Sequence, residues 1–233
     1  MPTGIIINCL SVLIGGLAGS VLGDRISGEL NASLNMIFGL ASMGMGISSI
    51  VLMQNMPAVI FALILGTASG IVIHLGDKIR SGAKLMQKAF GSAGENDELL
   101  LTAIVLFCAS GTGIYGSIVS GMNGDHSILI SKSILDLFTA LIFACTLKKT
   151  VSVIALPQFA IMTALFLLAR VIYPMTTPAM INDFKACGGF IMVATGFRIL
   201  NLKMFPTPDM IPAMILVMPL SALWMMYILP LVS

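Results

Sequence analysis

The sequence predicts an all-α polytopic membrane protein, a single transmembrane domain over residues 1–233 with about eight transmembrane helices. Of the 233 residues, 58% are hydrophobic and only 9% are charged, whereas soluble domains carry about 25% charged residues. A soluble fold needs polar side chains to cover its surface, so this composition excludes a soluble globular enzyme. The apolar residues also fall into runs of about 20, the length that crosses the hydrocarbon core as a helix.

Eight apolar segments follow one another along the chain, separated by glycine, proline or clusters of charge. Backbone in lipid must satisfy its own hydrogen bonds, and alternating barrel-type strands are absent from the sequence, so each segment is predicted to be a helix. The segments are 3–23, 32–53, 57–75, 99–119, 127–147, 150–174, 180–200 and 209–231. The sixth and seventh are weaker than the others, because polar residues and a proline interrupt them.

The basic residues orient these spans, because Lys and Arg of short loops concentrate on the cytoplasmic side of a membrane. With eight spans and an external N-terminus, nine of the twelve basic residues fall in cytoplasmic loops. We therefore expect both termini outside. The longest cytoplasmic loop contains a basic amphipathic segment, 77–90, in which apolar residues alternate with Lys78, Arg80, Lys84 and Lys88. Such a segment can lie in the headgroup plane against anionic lipid, or dock a partner.

Three stretches share a pattern of glycines followed by a loop and another apolar helix. They predict helical-hairpin repeats at about 32–75, 99–147 and 180–231, and the predicted topology inverts the third copy. Inverted repeats are typical of secondary transporters, which hold the solute near the midplane where repeats meet. Recurrent glycine also serves close helix packing, so both interpretations stay open.

The most specific polar feature is the pair Lys132 and Asp136, four residues apart inside the span 127–147. At a helical rise of 1.5 Å per residue, Asp136 lies roughly 14 Å from the end of the span, too deep to reach water. Charges at this depth cost about 2.5–3.5 kcal/mol each unless they pair or face water. The spacing places both groups on one face, which indicates mutual neutralisation, a binding site for a solute or coupling ion, or both.

Further polar groups extend this predicted site. Ser133 lies on the same helix. Asn8 of the first span and Gln158 of the sixth are expected to face the bundle interior, where bonds between helices explain them equally well. Ser110, Gly111 and Gly113 lie in the preceding span, where the glycines allow a local helix break whose freed carbonyls could bind a cation. Near the seventh span, Asp183 and Lys185 line an outer vestibule or merely begin the helix.

Glycines also form two small-residue faces, Gly15/Gly19/Gly23 and Gly66/Gly70. Both suit close helix contact, either within the chain or in a homodimer. The four cysteines are isolated within apolar runs and are interpreted as small buried residues, with no metal-ligand spacing. We expect no catalytic motif, no cofactor beyond Na⁺ or H⁺ as a coupling ion, and, with a net charge of +2, no nucleic-acid partner.

Three stretches of the chain carry motifs of a known family: GIIINCLSVLIGGLAGSVLGDRI, LFCASGTGIYGSIVSGMNGDHSILISKSILDLFTALIFA and GGFIMVATGFRILNLK. They resemble the bacterial membrane protein family of unknown function 554, the YdfK/YqgA-like proteins. The resemblance is most specific where the pattern carries Gly116, Gly124, Asp125, Lys132 and Asp136. It implies a multi-pass protein of the bacterial inner membrane and supplies no activity.

The leading functional hypothesis is therefore a secondary transporter for a small solute, an organic anion or an amino acid, driven by a proton or sodium gradient. Lys132 would attract the anionic group, and Asp136 would carry the coupling cation. An ion or solute channel is one alternative. A non-transporting membrane scaffold or sensor, acting through the basic segment 77–90, is another.

Overall fold

The helices of the computed structural model occupy the apolar segments that the sequence marks out. The structure describes residues 1–22, 28–89, 97–108 and 110–232, and within these ranges it contains helices and no β-strand, which confirms the all-α class. The helices are α1 (Thr3–Leu22), α2 (Gly28–Ile50), α3 (Met56–Val72), α4 (Leu75–Ala89), α5 (Asp97–Cys108), α6 (Gly111–Asn123), α7 (Ser127–Leu147), α8 (Thr150–Val153), α9 (Ala155–Ile172), α10 (Pro178–Ile199), α11 (Ile211–Leu223) and α12 (Leu229–Val232). A π-helical turn, Trp224–Ile228, joins α11 to α12.

Within the part of the chain that the structure describes, four stretches of helix are long and apolar enough to cross a membrane: Thr3–Leu22, Ser127–Leu147, Thr150–Met175 and Thr207–Leu231. The helices α3 and α4, bent by 60° at their junction, form a fifth candidate. The predicted count of eight spans is therefore not confirmed. Two of the predicted spans are not among these candidates for identifiable reasons. The span 99–119 is divided between α5 and α6, and the span 180–200 corresponds to α10, which carries three charged residues.

Helix α6 begins where the sequence predicted a local break. Ser110 is extended, with φ −70° and ψ 141°, and its side chain accepts a hydrogen bond from the backbone N–H of Gly113. A serine in this position satisfies one of the donors that the first turn of a helix leaves unpaired. At the other end, Gly124 adopts φ 75° and closes α6 with a left-handed residue, a conformation that glycine reaches without strain.

The chain divides into two compact units. Unit 1 comprises Met1–Ile37 and Lys78–Val171. Its most extensive helix pair is α1 with α7. The pair is close because a Cβ atom at Gly15 or Gly19 would lie less than 3.0 Å from a backbone carbonyl of α7. The described part of this glycine face therefore packs against another helix of the same chain, one of the two alternatives that the sequence left open. Gly23 lies outside the described residues.

Unit 2 comprises Phe38–Asp77 and Ile172–Ser233. Here α3 packs along α11 through Gly66, which faces Ala213. Gly70 of α3 faces Asp209 in the 3-10 turn that precedes α11. The second half of α2 meets α10 through glycine on both sides. These glycine contacts are Gly46 against Gly189 and Gly39 against Gly196.

Helix α4 covers the predicted amphipathic segment 77–90 except Phe90, which lies outside the described residues. The side chains of Lys78, Arg80 and Lys84 are exposed. The hairpin repeats are not confirmed. In the second proposed copy the helix is interrupted before Ser110, whereas the corresponding α10 of the third copy runs unbroken from Pro178 to Ile199.

Candidate functional site

Four buried polar side chains meet inside unit 1 and form what we call the Asp136 cluster. Asn8 comes from α1, Lys132 and Asp136 from α7, and Gln158 from α9. Asn8 and Gln158 are completely buried, and Lys132 and Asp136 are 4% and 5% exposed. The structure thus brings three of the predicted site residues together and adds Gln158. The sequence alone predicts that Gln158 faces the bundle interior, without linking it to this site.

Hydrogen bonds link the cluster into one chain across three helices. The ammonium Nζ of Lys132 lies 2.5 Å from Oδ2 of Asp136, and Nδ2 of Asn8 donates to the same oxygen over 2.8 Å. The amide Nε2 of Gln158 in turn donates to Oδ1 of Asn8, also over 2.8 Å. The i, i+4 spacing of Lys132 and Asp136 predicted the ion pair. The two amide contacts depend on helix packing.

Two oxygens of the cluster retain acceptor capacity. Both donors to Asp136 use Oδ2, and no bond within the described part of the chain reaches its Oδ1. Gln158 Oε1 is buried without a hydrogen-bond partner among the described residues. Leaving a buried acceptor unpaired costs about 1–3 kcal/mol, and such groups in native proteins call for an explanation. The cluster is thus neutralised in charge but not saturated in hydrogen bonding.

The break before α6 lies against the same lysine. A Cβ atom at Gly113 would lie 3.2 Å from Cε of Lys132 and 2.7 Å from the terminal methyl of Met162. Glycine at this position therefore lets the first turn of α6 approach the lysine stem. Of the predicted site residues in this turn, Gly113 contacts the cluster, Ser110 caps the helix, and Gly111 is its first residue.

Ser133 is buried, but its hydroxyl donates to the carbonyl of Leu129 within α7 over 2.6 Å. This bond uses its proton inside its own helix. The structure therefore does not bring the Ser133 proton to Asp136, although the two residues share a helix. The same helices also contribute to an apolar cluster of buried side chains, Ile5, Cys9, Leu129, Met162 and Phe166.

A second buried carboxylate, Asp183 of α10, lies in unit 2 and was not among the predicted site residues. Its Oδ1 accepts from the backbone N–H of Gln54 and of Asn55, over 2.8 and 2.9 Å. Its Oδ2 accepts from Nδ2 of Asn55 and from the hydroxyl of Ser221, over 2.8 and 2.6 Å. Because Asp183 is completely buried, its interpretation as a vestibule residue is wrong. We call this set the Asp183 cluster.

A signal in the sequence could have found this second cluster. Asn8 precedes Asp136 by 128 residues, and Asn55 precedes Asp183 by the same 128 residues. Displacing the sequence by 47 positions therefore superimposes both pairs. The same displacement aligns further residues of α1 and α3, namely Val12 with Val59 and Gly19 with Gly66.

The apolar helices, the buried ion pair and the low charge define a helical membrane protein in contact with the lipid bilayer. A family model described as a protein of unknown function, DUF554, matches residues 3–222. The chain belongs to this family, as the resemblance predicted.

Two relatives extend this finding. The chain is 44% identical over 230 residues to the uncharacterized protein YqgA of Escherichia coli, covering 96% of this chain and 98% of the relative. It is 27% identical over 219 residues to the uncharacterized membrane protein YdfK of Bacillus subtilis, covering 91% and 93%. No solved structure matches the chain significantly.

Proposed function

We propose that this protein is a secondary transporter for a small solute of the organic anion or amino acid class, coupled to protons or sodium, with its site at the Asp136 cluster. The observation that carries the proposal is the Lys132–Asp136 ion pair, buried on the helix that packs most extensively in unit 1. Charged side chains inside membrane proteins are costly and commonly mark solute or ion pathways.

A purely structural role explains less of the geometry. Replacing a buried ion pair by apolar residues is often neutral or stabilising, so stability alone gives little reason to keep one. The cluster also retains an unpartnered carbonyl on Gln158 and an open oxygen on Asp136. It lies beside an interrupted helix, and interrupted helices form the binding sites of many secondary transporters.

Each residue has a role in this mechanism. Lys132 attracts the anionic group of the solute, and Asp136 carries or releases the coupling cation. Ser110, Gly111 and Gly113 supply hydroxyl and backbone contacts at the start of α6. Asn8 and Gln158 orient the carboxylate through their amide bonds. The protein acts without an enzymatic step.

The proposal places the protein in the bacterial inner membrane, with both termini outside and α4 on the cytoplasmic surface. Its exposed cations Lys78, Arg80 and Lys84 would then lie against anionic headgroups, where each basic residue contributes about 1 kcal/mol. Homodimer formation stays a prediction. It would need a surface other than Gly15/Gly19 or Gly66/Gly70, which contact helices of the same chain.

The test begins with a thermal-stability screen of the purified protein against small organic anions, amino acids, Na⁺ and pH. A ligand that binds only the native state raises the apparent stability by mass action. Solutes that stabilise the protein are then tested for gradient-driven uptake in proteoliposomes. Asp136→Asn is expected to abolish uptake and its ion dependence. The control is Asp77→Asn, which removes an exposed carboxylate of α4.

Two outcomes would contradict the proposal. Uptake and ion dependence that survive Asp136→Asn exclude the cluster as the coupling site. Flux that does not saturate with solute concentration and needs no counter-ion indicates a channel instead.

A further inference from the structure

We infer that the coupling ion is a proton, that it binds Oδ1 of Asp136, and that each proton is transported together with one monovalent anion held by Lys132. This inference deepens the proposed function and rests on it. Three features carry it: the chemical nature of the groups around the carboxylate, the position of the ammonium, and the net charge of the cluster in each loading state.

The groups that contact Asp136 are hydrogen-bond donors. Nζ of Lys132 and Nδ2 of Asn8 both point N–H groups at Oδ2. A metal cation is bound by several oxygens. Here the ammonium already lies 2.5 Å from the carboxylate, and its positive charge would repel a metal cation. The amide oxygen of Asn8 already accepts one bond, from Gln158. Oδ1 of Asp136 and Oε1 of Gln158 are then the two cluster oxygens without a described donor, fewer than the several that a metal requires. A proton needs only one lone pair, and Oδ1 provides it.

Protonation changes the charge of the cluster by one unit. In the structure Lys132 carries +1 and Asp136 carries −1, so the pair is neutral. When a proton forms an O–H bond on Oδ1, Asp136 becomes a neutral carboxyl group and Lys132 keeps its three protons. The cluster is then +1, and the ammonium no longer has a carboxylate partner. One monovalent anion on the ammonium restores neutrality.

Neutrality decides which states can move across the membrane. A net charge in the bilayer interior is expensive, so a site that holds only the proton or only the anion is disfavoured for the conformational change that would carry it across. The empty ion pair and the doubly loaded site are both neutral. The charge count therefore couples one proton to one monovalent anion without net charge movement.

Among the described residues, the thiols of Cys9 on α1 and Cys108 on α5 interact electrostatically with the pair. Both must be tested separately, since a pH response of the cluster could otherwise be assigned to them. Their alanine variants leave Lys132 and Asp136 in place and serve as matched controls.

The test uses the proton itself as the probe, on the full-length protein in lipid nanodiscs without organic solute. Infrared difference spectra of an acid titration are expected to contain a carbonyl-stretch band from Asp136 beside the bands of the other nine acidic residues. Asp136→Asn should lose this band, whereas Asp136→Glu, Cys9→Ala and Cys108→Ala should keep it. The midpoint should be the same in sodium chloride and in choline chloride of equal ionic strength.

A midpoint that moves with Na⁺ concentration would overturn the inference, because sodium would then compete for the carboxylate. Persistence of the band in Asp136→Asn would also overturn it, provided that this variant elutes as the wild type does in gel filtration. Asp136→Glu is the control for misfolding caused by substitution at this position, since it retains a titratable carboxyl group there.

A second measurement tests the coupling. Proteoliposomes that contain a pH-sensitive dye and no organic solute receive an external acid jump in a chloride-free sulfate medium, so that no monovalent anion is present. Proton entry should be no faster than in protein-free vesicles, because the site that holds a proton alone is charged. A sustained protein-dependent leak would overturn obligatory coupling. Sodium-driven uptake of a solute that still requires Asp136 would refute only the proton inference, whereas uptake independent of Asp136 would refute the proposed function itself.

Discussion

Asp136 and Asp183 are both buried carboxylates inside helices, and each accepts a hydrogen bond from an asparagine amide 128 residues earlier in the chain. Their remaining partners differ. Asp136 is neutralised by the ammonium of Lys132 and keeps one oxygen open. Asp183 has no ammonium among its bonded partners and accepts four bonds from two backbone N–H groups, an amide and a hydroxyl.

This difference separates two uses of the same residue type. A carboxylate has about four acceptor positions, and at Asp183 fixed donors fill them, so a proton or solute could bind only by breaking bonds that hold α10 to the start of α3. The Asp136 cluster can change its charge state when a proton binds Oδ1 of Asp136, which no described donor reaches. The displacement of 47 positions that aligns the two aspartates puts Ala179 opposite Lys132. The lysine is therefore the difference that converts a structural cluster into a candidate site.

The largest expected effect is loss of stability in Asp183→Ala. The change removes four hydrogen bonds and leaves buried donors unpaired. Hydrogen bonds to charged groups contribute about 1.5–3 kcal/mol each. Even after the neighbouring groups adjust, we expect the free energy of unfolding to fall by at least about 4 kcal/mol. Thermal unfolding in detergent measures it. An effect smaller than that of Asp136→Asn would show that the assignment of roles is reversed.

Lys132→Met is expected to lower the free energy of unfolding by less than Asp183→Ala does, by about 3 kcal/mol. The reason is that it leaves the buried carboxylate of Asp136 without its cation. The double variant Lys132→Met/Asp136→Asn should recover most of this stability, since no uncompensated charge remains. It should not recover uptake. Thermal unfolding and proteoliposome uptake of both variants check the prediction, and a double variant as unstable as Lys132→Met would indicate that the pair holds the fold together.

Gly19→Ala tests the helix pair that carries the Asp136 cluster. The added Cβ atom would collide with the carbonyl of Leu141, and overpacking of this kind costs about 1–3 kcal/mol. We expect α1 to move away from α7 and uptake to fall with it. The matched control is Gly44→Ala, where a Cβ atom meets nothing within 4 Å. Equal stability of the two variants would contradict the close approach of α1 and α7.

The smallest effect on stability is expected for Gln158→Leu. The substitution removes an unpartnered carbonyl and one bond to Asn8, and these terms oppose each other, so the unfolding free energy should change by less than about 1 kcal/mol. Uptake should nevertheless fall severalfold, because Asn8 loses the contact that orients it toward Asp136. Unchanged uptake would remove Gln158 from the site.

The parts of the structure that depend on local spacing were predictable from the sequence. The helix Ser127–Leu147 coincides with the predicted span, and the interruption at Ser110 lies beside the glycines that predicted it. The pairing of Lys132 with Asp136 followed from four-residue spacing on one helix. Ser133 shows where helical spacing fails to predict contacts. Its hydroxyl donates to the carbonyl of Leu129 in its own helix and not to Asp136.

By itself, the sequence determined the membrane environment, the helical class and the ion pair, because hydropathy and helical periodicity act over fewer than about 25 residues. Only the tertiary structure decided which helices meet. The bond of Asn8 to Asp136 joins residues 128 apart, and that of Gln158 to Asn8 joins residues 150 apart. Such contacts depend on how closely the helix backbones approach, which the glycine contacts of each unit set. The packing therefore determines that Asp183 is saturated with donors while Asp136 retains an open oxygen.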